Sequence, residues 1–395
     1  MGFLDNRVKV VLAANFITVA ARMSLVTFLG IYFVREAGIS LATVGLAFLV
    51  ENLLRGLAAP FFGALSDRVG RRPLLLAAAL VTAAVLPCFL LVSGPGSLFA
   101  WSIAMGLASA VKMPVGAALL LDLAPPERRQ SVLALNYTVL SVAYTLAVSP
   151  AGYIAEQGYA MLAASSAAGY LLVAALYAFG LRGPLPMEVS QREPVMRAAL
   201  SVSRDRVFLG FAAVAFVFPF SMGLVVTASP LFAAQSGLGE GFIGLVLGLN
   251  SIVVALLALP VASRMEGPGP FRMLGAAALL VAACFACYAW IPDVRAALIA
   301  GTIVFSFGEL VFSSAVPAAV ARLAPAGRRG AYQGGWTLVA SFSMGSALFV
   351  SGLLRDAAGW RPAWTFYAAV TFCAALALLL LRDWFLRRSE RPGER

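Results

Sequence analysis

Five ionisable residues stand inside stretches that are otherwise apolar: Arg22, Glu51, Arg55, Lys112 and Glu309. A charge in such a setting is costly unless it faces a partner or a polar cavity, so each one marks either chemistry or an ion pair. Glu51 and Arg55 are spaced i, i+4 with the acid first, which suits a pair along one helix. Asn15 and Arg22 share a helical face, where hydrogen bonding between helices is the plain alternative to ligand binding. Glu309 has no cation at i±4, and the chain contains no histidine. A group that exchanges a proton near neutral pH therefore has to be a desolvated carboxylate. Glu309 is the first candidate for that role, with partnership to Lys112 as its structural alternative, and Glu51 is the second. Counting back at 1.5 Å per residue from Asp122 and Arg322 puts Lys112 and Glu309 roughly 15 and 20 Å along their helices. Both then lie near the middle of a core roughly 30 Å thick.

Other polar or aromatic side chains in the apolar stretches are candidates to line a cavity. Asn136, Tyr137, Ser141 and Tyr144 lie in one stretch, the last three on one helical stripe; Asn250, Gln333 and Trp336 lie in others. Packing or interhelical hydrogen bonding explains each of them singly as well as ligand contact does. A largely apolar and aromatic lining suits amphipathic organic compounds. The excess of cations among the five charges suits a carboxylate or phosphate held by Arg22 and Lys112, which leaves an anionic metabolite or lipid as the alternative cargo.

The elements that must hold these residues follow from composition. The 395 residues are 61% hydrophobic and only 12% charged, a balance that leaves large apolar patches unless lipid covers them. Twelve apolar spans of helical length fall at about 8–34, 41–62, 73–93, 97–121, 131–155, 160–181, 207–234, 240–262, 273–291, 295–320, 331–354 and 360–383. Gly, Pro or charge separates them, as at Gly94-Pro95-Gly96 and Pro125-Pro126. The first span is read as a retained helix and not a cleaved signal. The net charge of +11 sits in short loops between spans, so it speaks for topology and anionic lipid and against nucleic acid. Cys88, Cys284, Cys287 and Cys373 all lie within spans; small buried side chains explain them, with no disulfide framework or metal site implied. No nucleotide-binding loop or nucleophile with a base is present, so neither an enzyme nor a cofactor is expected.

Charge also orients the spans. With the N-terminus in the cytoplasm, that side holds most of the arginines, including Arg68, Arg71, Arg72, Arg128, Arg129, Arg328 and Arg329. The opposite loops hold only Arg35, Arg295, Arg355 and Arg361. Both termini are therefore expected on the cytoplasmic side of the cell membrane. Trp101, Trp290, Trp360 and Trp364 fall near expected outer helix ends, where indole favours the interface. The halves repeat: Asp122-Leu-Ala-Pro-Pro-Glu-Arg-Arg129 recurs as Arg322-Leu-Ala-Pro-Ala-Gly-Arg-Arg329, an offset of 200 residues. Such a parallel repeat places a site near the midplane, between two bundles. The expected layout is a six-helix bundle over 1–182, a cytoplasmic linker at 183–206 and a second bundle over 207–395.

Between the second and third spans stands Gly63-Ala64-Leu65-Ser66-Asp67-Arg68-Val69-Gly70-Arg71-Arg72. Its glycines permit tight turning and close helix approach. Asp67 is placed near the start of the third helix, where a carboxylate is favoured, and Asp122 is a candidate partner for the arginines. The counterpart Ser263-Arg264-Met265-Glu266-Gly267 is degenerate. This motif, the twelve spans, the central joint and the repeat resemble the major facilitator superfamily, and within it the twelve-helix drug/proton antiporter branch. The resemblance implies an all-α membrane protein, twelve transmembrane helices in two pseudo-symmetric six-helix bundles. It implies proton-coupled efflux of a small-molecule substrate by alternating access, by a monomer in the lipid bilayer. It further implies that Asp67, Arg68 and Arg71, in a gating motif with Gly63, Gly70, Arg72 and Asp122, latch the outward-facing state. A tenth-helix glutamate carries the proton in similar antiporters, which again points to Glu309. A non-transporting receptor or scaffold ranks below both transport readings, because it would not need the buried charges.

Overall fold

The computed structural model describes residues 5–125, 128–183, 202, 204–264, 269–325, 329–381 and 384. Twelve helices are long and apolar enough to cross a membrane, and among the described residues there is no strand. In chain order they are α1 (Asn6–Arg35), α2 (Leu41–Val69), α3 (Arg71–Leu91), α4 (Pro95–Leu123), α5 (Arg129–Gln157) and α6 (Tyr159–Gly180). There follow α7 (Arg206–Gln235), α8 (Glu240–Arg264), α9 (Pro270–Trp290), α10 (Val294–Leu323), α11 (Arg329–Ala358) and α12 (Trp360–Leu380). Each matches a span read from the sequence. Most of the segment expected as a linker lies outside the described residues.

Local chemistry sets the ends and breaks. The Asp5 carboxylate accepts the N–H of Arg7 at the start of α1, and 200 residues on Asp205 accepts the N–H groups of Val207 and Phe208 at the start of α7. The internal repeat thus extends to the caps that begin the two halves. Asp205 also accepts the Tyr332 hydroxyl at 2.5 Å, which ties α7 to α11. Helix α4 is interrupted between segments Pro95–Ser109 and Lys112–Leu123. Pro114 is the physical cause: it has no N–H to give the carbonyl of Ala110, and its ring crowds that carbonyl.

The described residues divide into two compact units. One runs to Gln191 and takes in Leu238–Gly248; the other holds Arg192–Gly237 and Leu249–Arg395. In the first, Val8, Val11, Leu75, Leu119 and Tyr177 form part of one buried core. Close approach of helices there rests on small residues: a Cβ at Gly106 of α4 would come within 2.8 Å of the Glu51 carbonyl oxygen on α2. At one end of this unit Arg35 pairs with Glu240 at 3.1 Å, and the Glu156 carboxylate accepts the Gly241 N–H at 2.8 Å. In the second unit Phe211, Phe218, Phe271, Leu274 and Val320 are core residues, and Gly308 of α10 lies against Val281 of α9.

The tryptophans divide between two roles. Trp290 is largely exposed, as an interfacial ring should be, but Trp364 is fully buried and Trp101 nearly so. Trp364 packs among Phe285, Tyr288 and Trp360, and the Trp101 N–H bonds the Val85 carbonyl. Their position near helix ends suggested the interface; packing area decided otherwise.

Candidate functional site

Three of the four buried charges of the first unit come together on α1 and α2. Arg22 Nη2 lies 2.5 Å from Glu51 Oε1, and Glu51 is 5% exposed. The Tyr170 hydroxyl of α6 lies beside the same guanidinium. The expected pair between Glu51 and Arg55 is not formed; Arg55 donates instead to Asn52 Oδ1 in a short contact. Two arginines compete for one carboxylate, and the partner across helices wins over the one along the helix. Side chains on a helix lean toward its N-terminus, so Arg55 reaching back meets Asn52 first, and Glu51 is left to α1.

Lys112 begins the second segment of α4. Its Nζ is buried without a hydrogen-bond partner, and the charge that acts on it is Arg22, another cation. Asn15 Nδ2 donates to Asn136 Oδ1 at 2.7 Å and thereby ties α1 to α5, which is the interhelical bonding weighed for Asn15. Tyr144 is half-buried on α5. The side chains of Tyr137 and Ser141 lie outside those described.

The second unit presents a different arrangement. Asn250 Nδ2 of α8 donates to Glu309 Oε2 at 3.0 Å, and Ser306 Oγ donates to Asn250 Oδ1 at 2.6 Å. Ser306 is fully buried and Asn250 is 6% exposed. No cation stands within ion-pair distance of Glu309 among the described residues. Gln333 donates to the Pro317 carbonyl at 3.1 Å, and the Trp336 ring packs on Phe211 with centroids 5.9 Å apart. Both of these ties are between helices.

The motif at Gly63–Arg72 is mostly helix. Helix α2 continues to Val69, and Gly70 alone joins it to α3. Asp67 therefore stands in the last turn of α2 and does not cap α3, whose N-cap Gly70 offers no side chain. Gly70 needs its glycine, since its φ is +91°, whereas a Cβ at Gly63 would meet only Pro114, at an ordinary 3.9 Å. Arg71 is buried and forms ion pairs with Asp122 and, at 3.7 Å, with Asp67. Arg72 donates to the carbonyls of Tyr177 and Ala178 at 3.0 and 2.7 Å, which satisfies acceptors at the end of α6 and sets a cation at the negative end of its dipole. Arg68 is exposed. The second-half counterpart lies largely outside the described residues.

Sequence reasoning passed over Tyr170, Asn52 and Ser306. Two of them carried a signal: Asn52 sits between Glu51 and Arg55 in an apolar run, and Ser306 is three residues before Glu309 on the same face. Tyr170 carried none, because a tyrosine in an apolar span is ordinary packing until its neighbours are known.

Comparisons with known proteins agree with this architecture. The Major Facilitator Superfamily matches over residues 11–294 and 211–395. A "Na(+), Li(+), K(+)/H(+) antiporter" of Planococcus maritimus is 25% identical over 365 residues, covering 83% of this chain and 84% of its own. The "Multidrug resistance protein MdtH" of Edwardsiella ictaluri is 24% identical over 338 residues, covering 86% and 83%. Among solved structures, the nucleoside transporter NupG is similar in fold, with a TM-score of 0.79 at 14% identity over 96% of this chain and 100% of that one. With twelve membrane-length helices, a repeat and buried charges already in view, this chain belongs to the major facilitator superfamily of multi-pass membrane transporters.

Proposed function

We propose that the protein is a proton-coupled exporter of amphipathic organic compounds, working by alternating access between six-helix bundles at 1–182 and 207–395. The observation that carries this reading is the carboxylate of Glu309, hydrogen-bonded to Asn250 with no cation within ion-pair distance among the described residues. A carboxylate in that setting can change protonation state without breaking an ion pair, whereas Glu51 would have to abandon Arg22. Glu309 is therefore the proton carrier, and Asn250 with Ser306 holds it in place. Similarity to a cation/proton antiporter supports exchange against protons, and similarity to a multidrug resistance protein supports an organic cargo.

The pairs of Arg71 with Asp67 and Asp122 supply the fixed part of the latch, and Arg68 is left to act as its movable part. Both termini face the cytoplasm, and the working unit is a monomer.

Transport by reconstituted protein, measured with and without an imposed pH gradient, tests the reading. Wild type should accelerate in the gradient, and Glu309→Gln should transport at a rate indifferent to it. Full gradient dependence in that variant would sink the assignment.

A further inference from the structure

We propose that the exported compound carries an anionic group, and that the ammonium of Lys112 binds it, with Arg22 as the neighbouring cation and Arg55 one step further along. This deepens the transport reading above and rests on it for what the anion is doing there. Three independent observations converge within the first unit. The first is charge. Arg22, Arg55, Lys112 and Glu51 act on one another electrostatically in a chain, Arg22 on Lys112 and on Arg55, and Glu51 on both arginines. Glu51 is taken by Arg22, and among the described residues Arg55 donates to the neutral Asn52. Three cations against a single carboxylate leave an excess that one or two negative charges would balance.

The second observation is the orphaned donor. An ammonium has three N–H bonds to give, yet Lys112 Nζ gives none and is buried. Snorkelling does not account for it, because a snorkelling lysine carries its nitrogen to water. Nor is it one arm of an ion pair, since no carboxylate stands within ion-pair distance of it among the described residues.

The third observation is backbone. Pro114 interrupts α4, so a fresh twelve-residue helical segment starts at Lys112 itself. The positive end of that segment's dipole lies in the same turn as the ammonium, and Ala110 and Val111 keep helical dihedrals, so the helix is interrupted there without being unwound. Asn15, whose Oδ1 lies 3.9 Å from where a Gly116 Cβ would stand one turn further on, lines the same face of α4.

The occupant needs a compact acceptor group, a carboxylate, sulfonate or phosphate, on an apolar body. A solute and an anionic lipid headgroup share that chemistry. Equilibrium binding to the full chain in nanodiscs, with no gradient present, tests it separately from proton coupling. The probes are naphthalene-2-sulfonate, 2-naphthoate and 2-naphthyl phosphate, against naphthyl-trimethylammonium, which keeps the ring and reverses the charge. The anions should bind at least about tenfold more tightly than the ammonium, the effect of one buried charge-assisted contact. Lys112→Gln should lose about that factor for the anions alone, and Lys112→Arg should keep most of it. Arg55→Gln should weaken the anions by a smaller factor.

Displacement of the anionic probes in phosphatidylglycerol but not phosphatidylcholine discs assigns the group to lipid; equal binding in both assigns it to a solute. Failure of all three anions to bind, equal binding of the ammonium, or unchanged anion affinity in folded Lys112→Gln overturns the proposal. Should that variant not fold, the charge-reversed probes on wild type decide alone. Gradient dependence of transport is read independently, so loss of the Glu309 assignment and loss of the anion site give different results.

Discussion

At the scale of single residues, the two units use their buried charges differently. Glu51 is neutralised by Arg22, while Glu309 is held by an amide that a hydroxyl in turn supports. A double-mutant cycle separates the two pairings open to Glu51. Substituting Arg22 and Glu51 singly and together by neutral residues should reveal a coupling of about 1 to 3 kcal/mol in unfolding free energy. The same cycle on Glu51 and Arg55, which share charge attraction without a direct contact, should give a clearly smaller value, and one as large as the first would contradict the structure. That five charges stand within apolar helices was legible in the sequence, because an ionisable residue in an apolar run is conspicuous in any context. Which of them pair was not legible. Spacing along a helix reports neighbours on the same element only, and Arg22 comes to Glu51 from another helix. Tyr170, likewise, gains meaning only once α6 is packed beside α1.

At the scale of elements, the twelve helices were readable because their apolar runs are long and their breaks carry Gly, Pro or charge. Helix ends were less so. The run Ala64–Val69 looks like a charged loop, yet its backbone stays helical until Gly70 turns the chain at a φ of +91°. This separates two glycines that a motif treats alike. Gly70→Ala should lower stability by about 1–3 kcal/mol, the range for a side chain forced into a backbone region reserved for glycine. Gly63→Ala should be nearly silent in the same thermal or denaturant unfolding measurement. Equal effects would mean that the two positions share a role the geometry does not give them.

At the scale of the whole molecule, the repeat was visible as a shared phrase 200 residues apart, and the structure extends it to the caps Asp5 and Asp205. The cargo was not visible, because a cavity lining is assembled from single residues on separate helices, none of which forms a motif. Orientation rests on the arginine bias, and a reporter checks it: fluorescent protein fused to the C-terminus should glow, and periplasmic alkaline phosphatase fused there should be inactive. The reverse pattern would invert the topology. The ties at the ends of the first unit also carry a consequence for how the chain is made. Arg72 must wait for Tyr177 and Ala178, which are 105 and 106 residues further on. Arg35 must wait for Glu240, 205 residues further on. A ribosome that has delivered all of α1 to α6 has therefore not yet delivered everything this unit holds on to. The unit is completed only after α7 and the first turn of α8 have emerged, so its assembly overlaps the birth of the second half.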